Sequence, residues 1–309
     1  MENNKMSKVN MIQEQQTRTL GASGITVSSI GVGTNKWTYG KNDERVLRVF
    51  KSSLDAGVNF FDTAEVYGLG KSERLVGECL RQKKRTAVIA SKFAPLPTRK
   101  LSKALDGSLS RLGIQTLDLY FVHFPVGKIE PLMDQMAQAV QDGKIRAVGV
   151  SNFSASKMRR AADRLARYNI PLAANEVQYN LLHRQPETNG VLNACKELNV
   201  ALIAYVPLVS GRYMTGPSQQ ESSHRFSFLS SSKVKSQPLL DTLQKIARDR
   251  GKSVTQVMLN WILRRDEHII PIPGTTTATH ALDNAEVLTW ELNEEEFNAI
   301  DQASSPRKQ

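Results

Sequence analysis

What most constrains this chain is an alternation. Eight short β-rich runs, at residues 30–33, 58–62, 87–92, 117–123, 147–151, 173–178, 201–206 and 268–272, are separated by segments of helical spacing. The runs are apolar throughout rather than at every second position, as expected of parallel strands buried on both faces. The segments between them, 44–56, 72–81, 101–112, 131–141, 155–167 and 187–198, carry apolar residues three and four apart, as Val46, Leu47, Phe50 and Leu54 do. Several close on Gly57, Gly113, Gly143 or Asn199, residue types that stop helices. Two helices, 238–250 and 254–264, stand between the seventh and eighth runs, and a pair near 279–286 and 293–302 ends the chain. Before the first run, 18–20 and 26–28 flank Gly21-Ala22-Ser23-Gly24 as a small hairpin.

Strands alternating with helices make an α/β protein, and eight repeats suit a (β/α)8 barrel. A doubly wound open sheet would want a glycine-rich phosphate turn after its first strand. Here that strand runs into Gly31-Val32-Gly33-Thr34-Asn35-Lys36-Trp37, which lacks the spacing. The expected architecture is a TIM barrel with an N-terminal β-hairpin and extra C-terminal helices, a single domain over residues 18–309. Residues 1–17 are polar, without the apolar core of a secretory signal, and read as a disordered leader.

In such a barrel, chemistry gathers where strands end. Asp62 ends the second strand, Lys92 the third and His123 the fourth; Ser151-Asn152, Gln178 and Tyr205 end the next three. Each alone has an ordinary reading, as a helix cap, a snorkelling chain or a packed ring. Together, an Asp, a Lys and a His on successive buried strands face one confined space, where charges persist only when paired. Lys92 beside Asp62 keeps both ionised. A tyrosine close to that ammonium, Tyr67 on the loop after the second strand, is expected to have its pKa lowered towards working pH. It can then protonate an oxygen that becomes negative, while His123 orients the same oxygen. The set can reduce a carbonyl or oxidise an alcohol, but no member carries a hydride, so it calls for a nicotinamide cofactor.

Seven segments complete the picture: Asp62-Thr63-Ala64-Glu65-Val66-Tyr67-Gly68, Ser91-Lys92, Val122-His123, Gly149-Val150-Ser151-Asn152-Phe153, Asn175-Glu176-Val177-Gln178-Tyr179-Asn180, Ile203-Ala204-Tyr205 and Ile270-Pro271-Ile272-Pro273-Gly274-Thr275. In order and spacing they resemble the aldo-keto reductases, over about residues 18–301, most closely the bacterial, plant and potassium-channel β-subunit branch. The resemblance implies an oxidoreductase that reduces aldehydes and ketones with NADPH, NADH being the alternative coenzyme. It implies Tyr67 as proton donor, tuned by Asp62 and Lys92, with His123 orienting the carbonyl. Ser151, Asn152 and Gln178 would bind the nicotinamide carboxamide and Tyr205 would stack on its ring. Gly33 and Thr34 join the cofactor contacts, and Pro207, Leu208, Ser210, Gly211 and Arg212 fall at the pyrophosphate. Gly274, Thr275, Thr276, His280, Asp283 and Asn284 fall at the adenosine end. Trp37, Phe93 and Phe124 are candidates for the substrate pocket. The chain departs from the pattern after Pro273-Gly274, where Thr275-Thr276-Thr277 replaces the usual Lys or Arg and His280 stands where an Arg is often found. The Ser-rich stretch 217–237 reads as a loop that folds over the coenzyme, and it shares specificity with 126–130. A second reading stays open: a cofactor-binding regulatory subunit with little turnover.

The remaining composition narrows the partners. The net charge of +11 is dispersed over helical faces, without the interleaved aromatics that nucleic-acid binding uses, so no nucleic-acid partner is expected. No apolar run reaches membrane-spanning length. The two cysteines, Cys79 and Cys195, make neither a disulfide framework nor a zinc site, and no metal is expected. The expected partner is a small carbonyl substrate and the expected compartment the cytoplasm, with an organelle left open; nothing in the sequence speaks to oligomeric state.

Overall fold

The computed structural model describes residues 17–39, 43–82, 87–96, 99–208 and 237–305. The expectations for residues 1–16 of the leader, for Ser210, Gly211 and Arg212, and for 217–236 of the loop lie outside the described residues; Thr17, expected as the end of the leader, instead opens the first strand, paired with Ser28. Ten strands are described: β1 (Thr17–Thr19), β2 (Thr26–Ser28), β3 (Gly31–Gly33), β4 (Phe60–Asp62), β5 (Val88–Phe93), β6 (Leu117–Val122), β7 (Ile145–Ser151), β8 (Leu172–Gln178), β9 (Ala201–Tyr205) and β10 (Ile269–Pro271). The helices are α1 (Asp43–Asp55), α2 (Lys71–Gln82), α3 (Leu101–Leu112), α4 (Ile129–Gln141), α5 (Ala155–Ala166), α6 (Gln185–Thr188), α7 (Val191–Leu198), α8 (Gln237–Arg250), α9 (Val254–Arg265), α10 (Ala278–Ala285) and α11 (Glu294–Ser304).

β1 and β2 pair antiparallel as the expected hairpin. β3 to β10 form one parallel sheet in sequence order. Its two edges meet just beyond β10, where Gly33 bridges Gly274 and the Gly33 amide donates to the Pro273 carbonyl at 3.1 Å. The sheet thus curls into the barrel the alternation predicted.

Two apolar layers hold it. Inside the barrel, Phe60, Leu119, Phe121, Ile203 and Ile270 interlock with Ala90, Ala147, Ala174 and Ala201, so large and small side chains fill the taper. Leu20, Ile25 and Val27 from the hairpin join this cluster and close one end. Outside, a larger layer sits between strands and helices and includes both cysteines, Cys79 and Cys195, which are buried. The register sets Phe121 opposite Gly149. A Cβ on Gly149 would come within 2.4 Å of the Phe121 ring, so only glycine admits that ring.

Local chemistry explains most boundaries. Ser154, Ser253, Thr277 and Asn293 each cap a helix by accepting a backbone amide, and Asn293 forms a full capping box with Glu296. The single helix expected over 187–198 is instead two, α6 and α7. Gly190, at a φ of 83°, breaks the ladder between them, and Asn189 accepts the Val191 amide at 3.1 Å. Among the described residues, no helix is long and apolar enough to cross a membrane.

Candidate active site

The parallel register brings the C-terminal ends of the strands to one side of the barrel, opposite the hairpin. Gly33 pairs with Asp62, Ser151 with Glu176, and Gln178 with Tyr205. At this end lies a cavity of about 600 Å³, a usual size for a small-ligand site. Asp62, Tyr67, His123, Ser151, Asn152, Glu176 and Tyr205 line its inner part, with Phe124 at its mouth.

Lys92 is the centre of the polar floor. It is 0% exposed, and its Nζ donates to both Asp62 oxygens at 2.5 Å, to the Thr63 carbonyl at 3.1 Å and to the Tyr67 hydroxyl at 3.3 Å. A second carboxylate, Glu176 Oε2, lies 3.3 Å away. Burial works to discharge Lys92, but Asp62 and Glu176 outweigh it and hold the ammonium charged. Burial also raises both carboxyls, Glu176 to about 8, aided by the charge of Asp62. His123 stacks on Phe124 at 4.3 Å and meets Tyr67 edge-on at 6.0 Å. Burial, then the charge of Lys92, lowers its imidazole to about 3, so the ring is neutral and acts by hydrogen bonding rather than by charge. Its buried Nδ1 has no partner among the described residues.

One expectation is corrected. Tyr67 is not lowered; burial pushes its hydroxyl above the ordinary value, and Lys92 only partly offsets this. The desolvation of a phenolate in this cleft exceeds the attraction of one ammonium already shared with two carboxyls.

Hydrogen bonds from neighbouring side chains hold the strand ends that carry the cluster. Ser91 donates to Glu73 at 2.6 Å, and Arg111 holds the other Glu73 oxygen at 2.6 Å. Thr34 donates to the Asp62 carbonyl at 2.8 Å and meets Ser72 at 2.7 Å. Thr34 therefore braces Asp62 from below rather than reaching the cavity, as had been expected of it. On the opposite wall, Ser151 donates to the Glu176 carbonyl at 3.0 Å, Asn152 donates to Ser151 at 3.0 Å, and the Tyr205 hydroxyl donates to Asn152 Oδ1 at 3.0 Å. Asn152 and Val206 hold positive φ, 61° and 49°, at the ends of β7 and β9. For a β-branched residue such as Val206 that conformation is strained, and such strain gathers at functional sites.

Among the expected pocket residues, only Phe124 lines the cavity. Trp37 is buried against Phe61, its indole N–H donating to the Thr275 carbonyl at 2.7 Å, and Phe93 is 1% exposed in the layer beneath the helices. Both are packing residues. Gln178 is half-buried opposite Tyr205 and is not among the residues lining the cavity, whereas Glu176, one step down the same face of β8, is. The signal was available: Ala174 points into the barrel, and a strand repeats every second residue.

The cavity extends along Gly33, Pro207, Leu208 and Gly274 towards the segment where the adenosine contacts are expected. Gly274 is open, its nearest neighbour beyond a Cβ being the Lys36 stem at 3.8 Å. The residues expected there mostly serve one another. Asn284 donates to Thr275 at 3.1 Å, Asp283 accepts from Ser253 at 2.9 Å and Gln256 at 2.8 Å, and the exposed His280 gives its backbone amide to Thr277. The cations come from elsewhere in the chain. Lys36 lines the cavity, and Arg45 on α1 donates to the Thr276 carbonyl at 3.2 Å. An elongated cleft with hydrogen-bonding side chains at one end and two cations near the other fits a dinucleotide coenzyme. Among the described residues no cluster of His, Cys, Asp and Glu could hold a metal ion.

Known proteins resemble the chain in sequence and in fold. The model of the Aldo/keto reductase family matches residues 29–305. The chloroplastic pyridoxal reductase of Arabidopsis thaliana is 32% identical, covering 91% of this chain and 84% of its own. An aldo-keto reductase of Schizosaccharomyces pombe whose name specifies NADP(+) is also 32% identical, covering 93% of this chain and 91% of its own. The crystal structure of a Klebsiella pneumoniae aldo-keto reductase in complex with NADPH superposes with a TM-score of 0.77 at 26% identity, over 94% of this chain and 97% of that one.

Proposed function

The chain belongs to the aldo/keto reductase family, and from that membership we propose that it reduces aldehydes and ketones to alcohols with NADPH, Tyr67 giving the proton. A bound nicotinamide coenzyme supplies hydride to the carbonyl carbon. The protein supplies the rest. Tyr67 and His123 share the cavity wall and hydrogen-bond the carbonyl oxygen from two sides. As that oxygen takes on alkoxide character it becomes far more basic than a phenolate, so Tyr67 donates to it even with its acidity weakened by burial. Lys92, 3.3 Å from the hydroxyl, then steadies the phenolate left behind, and Asp62 keeps Lys92 aimed and charged. Asn152 and Ser151 offer an amide and a hydroxyl to the nicotinamide carboxamide, and the Tyr205 ring a face to pack on.

NADPH rather than NADH is favoured by Lys36 and Arg45, which flank the segment 274–277 that would receive the adenosine ribose. The exposed apolar residues at this end of the barrel, Leu69, Leu96, Phe124 and Val126, support carbonyl compounds with an apolar or aromatic body; the likeness to a pyridoxal reductase makes pyridoxal a first substrate to assay.

The observation that carries the proposal is the contact of Lys92 with Asp62 and Tyr67 at the floor of a ligand-sized cavity. Its test is Tyr67→Phe. Turnover of carbonyl substrates is expected to drop by about 10²–10⁴-fold while NADPH still binds. A variant that retains full turnover overturns the assignment.

A further inference from the structure

Three ionisable side chains share one dry space: Lys92, Asp62 and Glu176 are 0%, 2% and 3% exposed. Asp62 takes the ammonium on both oxygens, whereas Glu176 brings only Oε2 to 3.3 Å, and that oxygen has no hydrogen-bond partner among the described residues. One positive charge therefore faces two carboxyls. Ionising both would leave a negative charge uncompensated away from water, which a buried pair avoids by retaining a proton. The two titrate together, and the proton rests on the carboxyl less well served by donors, which is Glu176. Burial, then the charge of Asp62, pushes Glu176 to about 8. The charges acting on it are Asp62 on β4 and Lys92 on β5; of the other titratable groups on this cavity, Tyr67, His123 and Tyr205 are neutral near pH 7, and Lys36 lies towards Gly274 at the far end.

Building on the proposed reductase reading, we infer that Glu176 is a positioning residue that works in its acid form, and that loss of its proton slows carbonyl reduction on the alkaline side. In reduction the Tyr67 O–H bond breaks as the product O–H bond forms, hydride reaches carbon from the reduced coenzyme, and the phenolate regains a proton from solvent. Glu176 keeps its own proton throughout. While it does, the cluster holds one ammonium and one carboxylate, and Lys92 is available to the phenolate. Once Glu176 ionises, a second negative charge competes for the same ammonium and makes Tyr67 a weaker acid.

The test is Glu176→Gln, which cannot ionise yet still offers Asp62 a donor. With saturating NADPH and substrate, wild-type kcat is expected to fall about tenfold between pH 7 and pH 10, bound coenzyme moving the titration up by about one unit, while E176Q stays level within about twofold. An alkaline limb shared by both proteins overturns the inference, as does an E176Q protein that binds NADPH but is inactive at pH 7. A binding measurement covers the case in which E176Q does not fold. Coenzyme that covers Glu176 strips its remaining water and favours the acid form, so wild type is expected to take up protons on binding NADPH at pH 8. This uptake is read from the dependence of binding heat on buffer ionisation, and zero uptake also overturns the inference. Wild type that turns over no carbonyl compound at pH 7 counts against the reductase reading instead, and the binding heats still decide Glu176.

Discussion

Arg45 lies 231 positions from Thr276 in the chain, yet its guanidinium donates to that residue's carbonyl. It brings a cation to the one segment where the local sequence, Thr275-Thr276-Thr277, has none. Arg45→Ala is expected to weaken NADPH binding about tenfold, the worth of one charge-assisted hydrogen bond, and to leave NADH within about twofold. Parallel titrations of tryptophan fluorescence with the two coenzymes check this. The contrast with Lys92 shows what a sequence discloses about a site. Asp62, Lys92 and His123 were legible because each ends an apolar strand, where a charge or an imidazole needs a reason. Arg45 sits in an amphipathic helix among other surface charges, and only the packing of α1 on α10 gives it a meaning. Glu176 is an intermediate case: its phase on β8 was readable, but the family motif directed attention to Gln178.

At the scale of elements, β6 and β7 are matched through a missing side chain. Phe121 fills the barrel interior beneath the site, its ring 5.9 Å from Lys92 Nζ, and it occupies the space a Cβ on Gly149 would need. Gly149→Ala is expected to destabilise the fold by about 1–3 kcal/mol, the usual scale of overpacking, seen as a lower urea midpoint. Phe121→Leu in the same chain is expected to recover part of that loss. The eight strands and their order were legible, because continuous apolar runs between helical segments leave few other folds. Their interior packing was not, since nothing in the local text says that Gly149 answers Phe121. The division of α6 from α7 was equally hidden, for it turns on a single left-handed glycine, Gly190, inside an otherwise helical pattern.

For the molecule as a whole, many of the basic residues are paired between helices, and the net charge of +11 is the excess those pairs leave over. On α5, Arg159 meets Glu197, Arg160 meets Glu130 and Arg164 meets Asp134 in a bidentate contact. Arg265 reaches Glu187 with one terminal nitrogen and Asp301 with the other. Solvent screens such exposed pairs, so each adds little stability, but they join neighbouring helices around the strands. The core that these helices cover also holds both thiols. Cys79 and Cys195 are 2% and 0% exposed, and burial, aided by Glu78 and Asp266 respectively, raises each to about 12. At neutral pH neither offers a thiolate to solvent. A protein that took in reactive enals, as the proposed activity allows, would risk alkylation by them, and cysteine is the side chain such reagents seek first. Native protein incubated with iodoacetamide or a reactive enal is expected to keep its intact mass at these two positions, and to gain two adducts only after denaturation. Burying its soft nucleophiles would let the chain work in a chemically aggressive milieu without becoming its own casualty.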